Sequence, residues 1–153
     1  MVLEQGPEEQ SDVVPQGEPS EVLGLVNQAR SEGRNCGSEG TFGPTGALGW
    51  NDKLGSAAER HAQDMASHSF MSHTGSDGSS VADRVSDEGY AWSAVGENVA
   101  AGQSSPEEVM ESWLSSPGHC ANIMSPDFEH MGIARAQGGS YGVYWAQTFG
   151  RSQ

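Results

Sequence analysis

The run Val143-Tyr144-Trp145-Ala146-Gln147-Thr148-Phe149 puts bulk on both faces of any strand it forms, because successive side chains of a strand point to opposite sides. A strand with one face in water would alternate with polar residues. This one needs cover on both sides, and helices are the cover that such strands receive. It has a natural partner: His130–Gln137 is also strand-like, and Gly138-Gly139 between the two runs supplies the positive φ that a tight turn requires. The C-terminal third therefore reads as a doubly covered hairpin.

The remainder of the chain supplies the helices. Val22, Leu25, Val26 and Ala29 follow Ser20 at helical spacing, and Gly33 closes that helix. A glycine-rich loop, 36–49, leads to Asn51 or Asp52 as the cap of a second helix, whose stripe is Leu54, Ala57, Ala58, His61, Met65 and His68. A short helical segment is expected over 81–88 and a short strand over 95–101. Ser105-Pro106-Glu107-Glu108 places serine at the N-cap, proline at N1 and glutamate at N3, a capping box that starts a helix bearing Val109, Met110, Trp113 and Leu114. Pro117-Gly118 is expected to end it just before His119. The order predicts an α+β sandwich without internal repeats.

A chain of 153 residues fits one such domain. Residues 1–19 carry Glu4, Glu8, Glu9, Asp12 and Glu18, no Lys or Arg, and three prolines, which predicts a solvated acidic tail ahead of a domain over 20–153. The net charge of −14 repels phosphate backbones and anionic headgroups, which argues against a nucleic-acid partner. No apolar run reaches the roughly 20 residues of a membrane span. Cys36 and Cys120 stand 84 positions apart. By count alone they are either a disulfide, which implies an oxidising compartment, or two separate buried thiols.

Five histidines are the candidates for chemistry. His61 lies on the apolar stripe of its helix, His68 near that helix's C-terminus and His130 at a strand end, and structural roles suffice for all three. His73 and His119 each follow a helix end in turn-rich sequence, where binding residues collect. The chain has no H-E-x-x-H and no C-x-x-C, so the commonest zinc-protease and dithiol redox motifs are absent.

Four segments then line up in order: Phe70-Met71-Ser72-His73; Gly96-Glu97-Asn98-Val99-Ala100; Trp113-Leu114 with Ser116-Pro117-Gly118-His119-Cys120-Ala121-Asn122-Ile123; and Tyr144-Trp145-Ala146-Gln147-Thr148-Phe149-Gly150. Together they resemble the CAP superfamily, the domain of cysteine-rich secretory proteins, antigen 5 and pathogenesis-related 1 proteins, and within it the short bacterial secreted members. The resemblance implies a three-layer α-β-α sandwich with a central cleft lined by His73, Glu97 and His119. It also implies a Cys36–Cys120 disulfide and a secreted, extracellular or periplasmic location. The family's usual fourth cleft residue is a glutamate three positions after the tryptophan, where this chain has Ser116. Glu111, two positions before Trp113, is not expected to replace it.

Two imidazoles and a carboxylate are ligands for a divalent metal such as zinc, at about 2.0–2.2 Å. Some CAP members bind zinc there, so the resemblance implies a metal site of His73, Glu97 and His119 in a domain, expected to be monomeric, that binds an unidentified extracellular ligand. A metal-dependent peptidase or cell-wall hydrolase is the alternative, with Glu97 as general base on a metal-bound water. Lipid or sterol carriage, known in some eukaryotic members, is a third, although 75–92 is rich in Ser, Asp and Gly and does not read as an apolar lid.

Overall fold

The computed structural model describes residues 11–153 as a four-stranded sheet between two helical layers. In chain order the elements are α1 (Glu18–Glu32), β1 (Arg34–Asn35), β2 (Thr41–Phe42), β3 (Gly49–Trp50), α2 (Asp52–His68), α3 (Val81–Asp87), β4 (Trp92–Ala101), α4 (Pro106–Leu114), α5 (Pro117–Met124), β5 (His130–Gln137) and β6 (Val143–Ser152). The sheet order is β3-β5-β6-β4, with β3 parallel to β5 and the other pairs antiparallel; β1 and β2 form a separate small ribbon.

The double cover expected of β6 is present. Val143, Trp145 and Phe149 pack with Val22 and Val26 of α1, Met110 and Trp113 of α4 and Ile123 of α5. Tyr144 and Ala146 face the other way, against Ala58, Ala62 and Met65 of α2. The α2 layer lies so close to the sheet that a Cβ at Gly132 of β5 would come within 2.2 Å of the Gly55 amide nitrogen, a backbone clash that only glycine avoids.

Local signals explain most boundaries. Asn51 caps α2, its side-chain oxygen accepting from the Lys53 and Leu54 amides. Gly33 ends α1 at φ 80°, and Gly138 and Gly139 turn the hairpin at φ 131° and 68°. Ser105 accepts from the Glu108 amide as a cap should, but the Glu108 carboxylate reaches the amide and hydroxyl of Ser104 instead of the Ser105 amide, so the box is shifted by one residue on its return arm. A reciprocal capping box occurs instead at Ser80 and Asp83, starting α3.

Three expectations change. The acidic tail does not run to residue 19: α1 begins at Glu18, the Asp12 amide donates to the Trp50 carbonyl at 2.7 Å, and its carboxylate takes the Asp52 amide at 2.9 Å, which fastens Asp12 to the β3 edge. Residues 1–10 lie outside the described part. The strand expected over 95–101 begins three residues earlier, at Trp92. Pro117-Gly118 does not merely stop α4, since Pro117 is N1 of a further helix, α5, with Ser116 at its N-cap.

The Cys36–Cys120 disulfide is formed, with Cα atoms 5.5 Å apart, and ties the β1–β2 ribbon to α5. The other end of α5 is held by Arg30 of α1, whose guanidinium donates to the carbonyls of Ile123, Ser125 and Gly46 at 2.9, 2.7 and 2.7 Å. Burial lowers its pKa to about 10. Among the described residues no helix is long and apolar enough to cross a membrane.

Candidate functional site

The outer strand β4 is where the two helical layers can meet around an edge. Its alternation sends Glu97 toward α2 and α3 and Asn98 toward α5. On the first side the Glu97 carboxylate is buried and both its oxygens are engaged. Oε2 accepts from Nη2 of Arg84 at 2.7 Å, and Oε1 accepts from Nδ1 of His73 at 2.9 Å. Arg84, on α3, is 1% exposed, so this is a buried ion pair of the charge-assisted kind.

Arg84 also sets where His73 lies. Its Nη2 donates to the His73 carbonyl at 3.0 Å, while Nη1 donates to the carbonyl and hydroxyl of Ser79 at 2.8 and 3.2 Å. From the other flank, Nε2 of His61 on α2 donates to the Ser72 carbonyl at 2.6 Å. The His73 loop is therefore clamped from both helices, and one guanidinium fixes both partners of the His73–Glu97 pair. His61 is fully buried, as its place on the apolar stripe predicts. Two atoms beside it, Nδ1 of His61 and Nε of Arg84, are shut from solvent without a hydrogen-bond partner among the described residues.

On the second side neutral amides do the holding. Asn98 donates from Nδ2 to the His119 carbonyl at 3.2 Å and to Oε1 of Gln147 at 3.1 Å. Asn122 of α5 donates to Oδ1 of Asn98 at 2.9 Å and to the Glu97 carbonyl at 3.2 Å. His119 thus sits in the first turn of α5 rather than on a loop, next to the disulfide cysteine. The loop expectation fails because Ser116-Pro117 repeats the helix-start pattern of Ser105-Pro106.

The imidazoles differ in protonation. The hydrogen bond to Glu97 raises the pKa of His73 above its ordinary value. Burial lowers that of His119, and the charge of His73 lowers it further, which places the two rings within electrostatic reach. Burial also lowers that of His61. Because a carboxylate can only accept, the Nδ1 of His73 carries the proton, and Nε2 of its neutral ring presents a lone pair on a side chain that is 61% exposed.

Among the described residues no three His, Cys, Asp or Glu side chains are arranged to hold a metal ion. His73 and Glu97 are brought into direct contact as hydrogen-bond partners, and His119 is near but on its own element. Ser116 offers no side-chain cap to α5, and Glu111 lines a groove between α1 and α4 instead of this site. His130 contacts the Tyr90 hydroxyl at 2.9 Å, and His68 pairs with Asp64 at the surface. Arg84 is the residue that sequence reasoning missed. The Ser80–Asp83 box announces its helix, but nothing in the chain marks which face of that helix is buried.

Comparison with known proteins agrees with this architecture. The model of the cysteine-rich secretory protein family, CAP, matches residues 23–149. The uncharacterized protein YkwD of Bacillus subtilis is 34% identical over 99 residues, covering 65% of this chain and 37% of YkwD. Among solved structures, an extracellular SCP-domain protein of Bacillus anthracis superposes with a TM-score of 0.74 at 23% identity, covering 94% of this chain and 45% of that one. NaASP2, solved with Zn²⁺, has a TM-score of 0.58 at 13% identity over 92% of this chain and 85% of its own. The chain thus spans less than half the length of YkwD and of the Bacillus anthracis protein.

Proposed function

Because this chain belongs to the cysteine-rich secretory protein (CAP) family, we propose that it is an extracellular binding domain in which the His73 and His119 imidazoles take a divalent cation, zinc first, with Glu97 orienting His73 rather than ligating. The observation that carries this reading is the full engagement of Glu97: one oxygen is held by Arg84 and the other fixes the Nδ1–H tautomer of His73. A carboxylate behind a histidine, with the far ring nitrogen free, is how proteins prepare an imidazole for a metal. The donor set therefore fits a cation as two imidazoles with the carboxylate behind one of them.

A bound cation would offer its remaining positions as Lewis-acid sites to an oxygen or nitrogen of an extracellular ligand. The burial of the Glu97 carboxylate, 2% exposed between Arg84 and His73, also favours binding over hydrolysis, because it leaves little access for a water whose proton it would take. The disulfide supports an oxidising, extracellular setting. Calorimetric titration with zinc at pH 7.5 tests the reading. The expected result is uptake that is lost in His73→Ala and in His119→Ala and about 10–100-fold weaker in Glu97→Gln. Uptake unchanged in the double variant His73→Ala/His119→Ala would sink it.

A further inference from the structure

The far edge of the sheet carries an independent site. β3 is only two residues long, and after Trp50 the chain turns into α2. The last bond on that side runs from the Asn51 amide to the Met131 carbonyl at 3.1 Å. Residues two apart on a strand direct their amide and carbonyl to the same side, so Ile133 and Arg135 point theirs where β3 would have continued. Among the described residues none of these four groups has a hydrogen-bond partner. An open strand edge of this kind is a template for another extended chain.

The edge lies at the floor of a groove of about 430 Å³. One wall is Pro15 and Glu18, at the entry to α1, and the other is Asp52, Ser56 and Glu59 on the first two turns of α2. Arg135, the cation in it, is neutralised by an ion pair with Glu18 and lies 5.5 Å over the Trp145 ring. Asp52 and Glu59 are exposed and give the second wall a negative character in a chain of net charge −14.

We propose that the open edge of β5 at Ile133 and Arg135 binds an extended, lysine- or arginine-bearing segment of a protein partner as an added strand, with Asp52 and Glu59 receiving its cationic side chains. Main-chain hydrogen bonds to the edge supply affinity, and carboxylates on the wall select the charge. The chain's own residues 1–10 carry Glu4, Glu8 and Glu9 and no cation, so they are the wrong charge for it.

The probe is a capped peptide of alternating lysine and valine, added to the full chain at low ionic strength and followed by calorimetry and by amide hydrogen exchange. The expected result is saturable binding with slowed exchange at the Ile133 and Arg135 amides. Methylating alternate peptide nitrogens, which removes strand pairing but keeps the charge, is expected to weaken binding about tenfold. Glu59→Lys, an exposed change, is expected to weaken it by about threefold to tenfold at unchanged thermal stability, and a glutamate–valine peptide is not expected to bind. Equal binding of the methylated peptide, or binding without protection of the two amides, overturns the proposal. So does protection already present without peptide that disappears on dilution, which would make a second copy the occupant, or on deletion of residues 1–10, which would make it that segment.

Discussion

Two arginines are almost wholly buried, and they hold the two layers in different ways. Arg30 spreads its charge over the carbonyls of Gly46, Ile123 and Ser125, and no carboxylate is bonded to it among the described residues. Arg84 gives part of its donors to carbonyls as well, but its shortest bond is to the Glu97 carboxylate. Both satisfy backbone groups that would otherwise be orphaned at element ends. Only Arg84 joins that task to a counter-ion, and the counter-ion orients an exposed imidazole. The comparison separates a fastening whose loss loosens a helix from one whose loss also rewrites the chemistry beside it.

The Arg30 side has a second fastening, and removing it is expected to give the largest effect. Replacing Cys36 and Cys120 by serine should cost about 4–5 kcal/mol in the chain-entropy account of a loop of this length, measured by urea unfolding, while leaving the His73 titration where it is. Arg84→Met comes next. It strands the buried Glu97 carboxylate and should cost about 3–5 kcal/mol, of which Glu97→Met added to it restores most. If the double variant is no more stable than the single one, the ion pair is not what Arg84 contributes.

Arg30→Met should cost less, about 2–3 kcal/mol from carbonyls left without donors, with no single partner whose removal rescues it. Its histidine titrations should match those of wild type. In Arg84→Met, by contrast, the His73 midpoint is expected to move, since Glu97 and the His73 carbonyl both lose the guanidinium.

The smallest effect is on pH dependence, where His73 acts with opposite sign to His61 and His119. His73 has a folded pKa above its ordinary 6.5, so it contributes stability below that value, which is lost as the pH rises through the folded pKa. His61 has a folded pKa below 6.5, so the stability of its neutral buried form is present above 6.5 and is lost as the pH falls toward the folded pKa. His119, also lowered, adds to the His61 slope; the His73 slope opposes both, and Glu97→Gln, which removes it, should make stability fall more steeply as the pH drops through 6.5. Proton NMR titration should find His73 above, and His119 below, the ordinary histidine value, with Glu97→Gln returning His73 toward it.

The layers and the hairpin were legible because their causes are local. Bulk on both faces of Val143–Phe149, the Asn51 cap and the glycines at 33, 138 and 139 each act within a few positions. His73, Glu97 and His119 were gathered only by family resemblance, since no spacing rule brings a loop, an edge strand and a helix together. The departures at Pro117 and Arg84 have different origins. Pro117 is equally a helix stopper and an N1 residue, and in the fold it serves as the second although the Ser116 side chain makes no cap bond. Arg84 was invisible because an arginine on a short polar helix ordinarily lies in water, and only Glu97 on β4, thirteen positions later, turns that face inward.

The contact of Gly132 with Gly55 gives α2 the character of a lever. Gly55 is the fulcrum, seated on the sheet with no room for a single methyl group. His61 lies six residues along the same rigid rod, about 9 Å away, and its ring grips the loop that carries His73. A small tilt at the fulcrum would reach the imidazole as a displacement of the Ser72 carbonyl. A methyl group added in the middle of β5, at a residue with no side chain at all, would thus bear on His73 through α2, His61 and the Ser72 carbonyl.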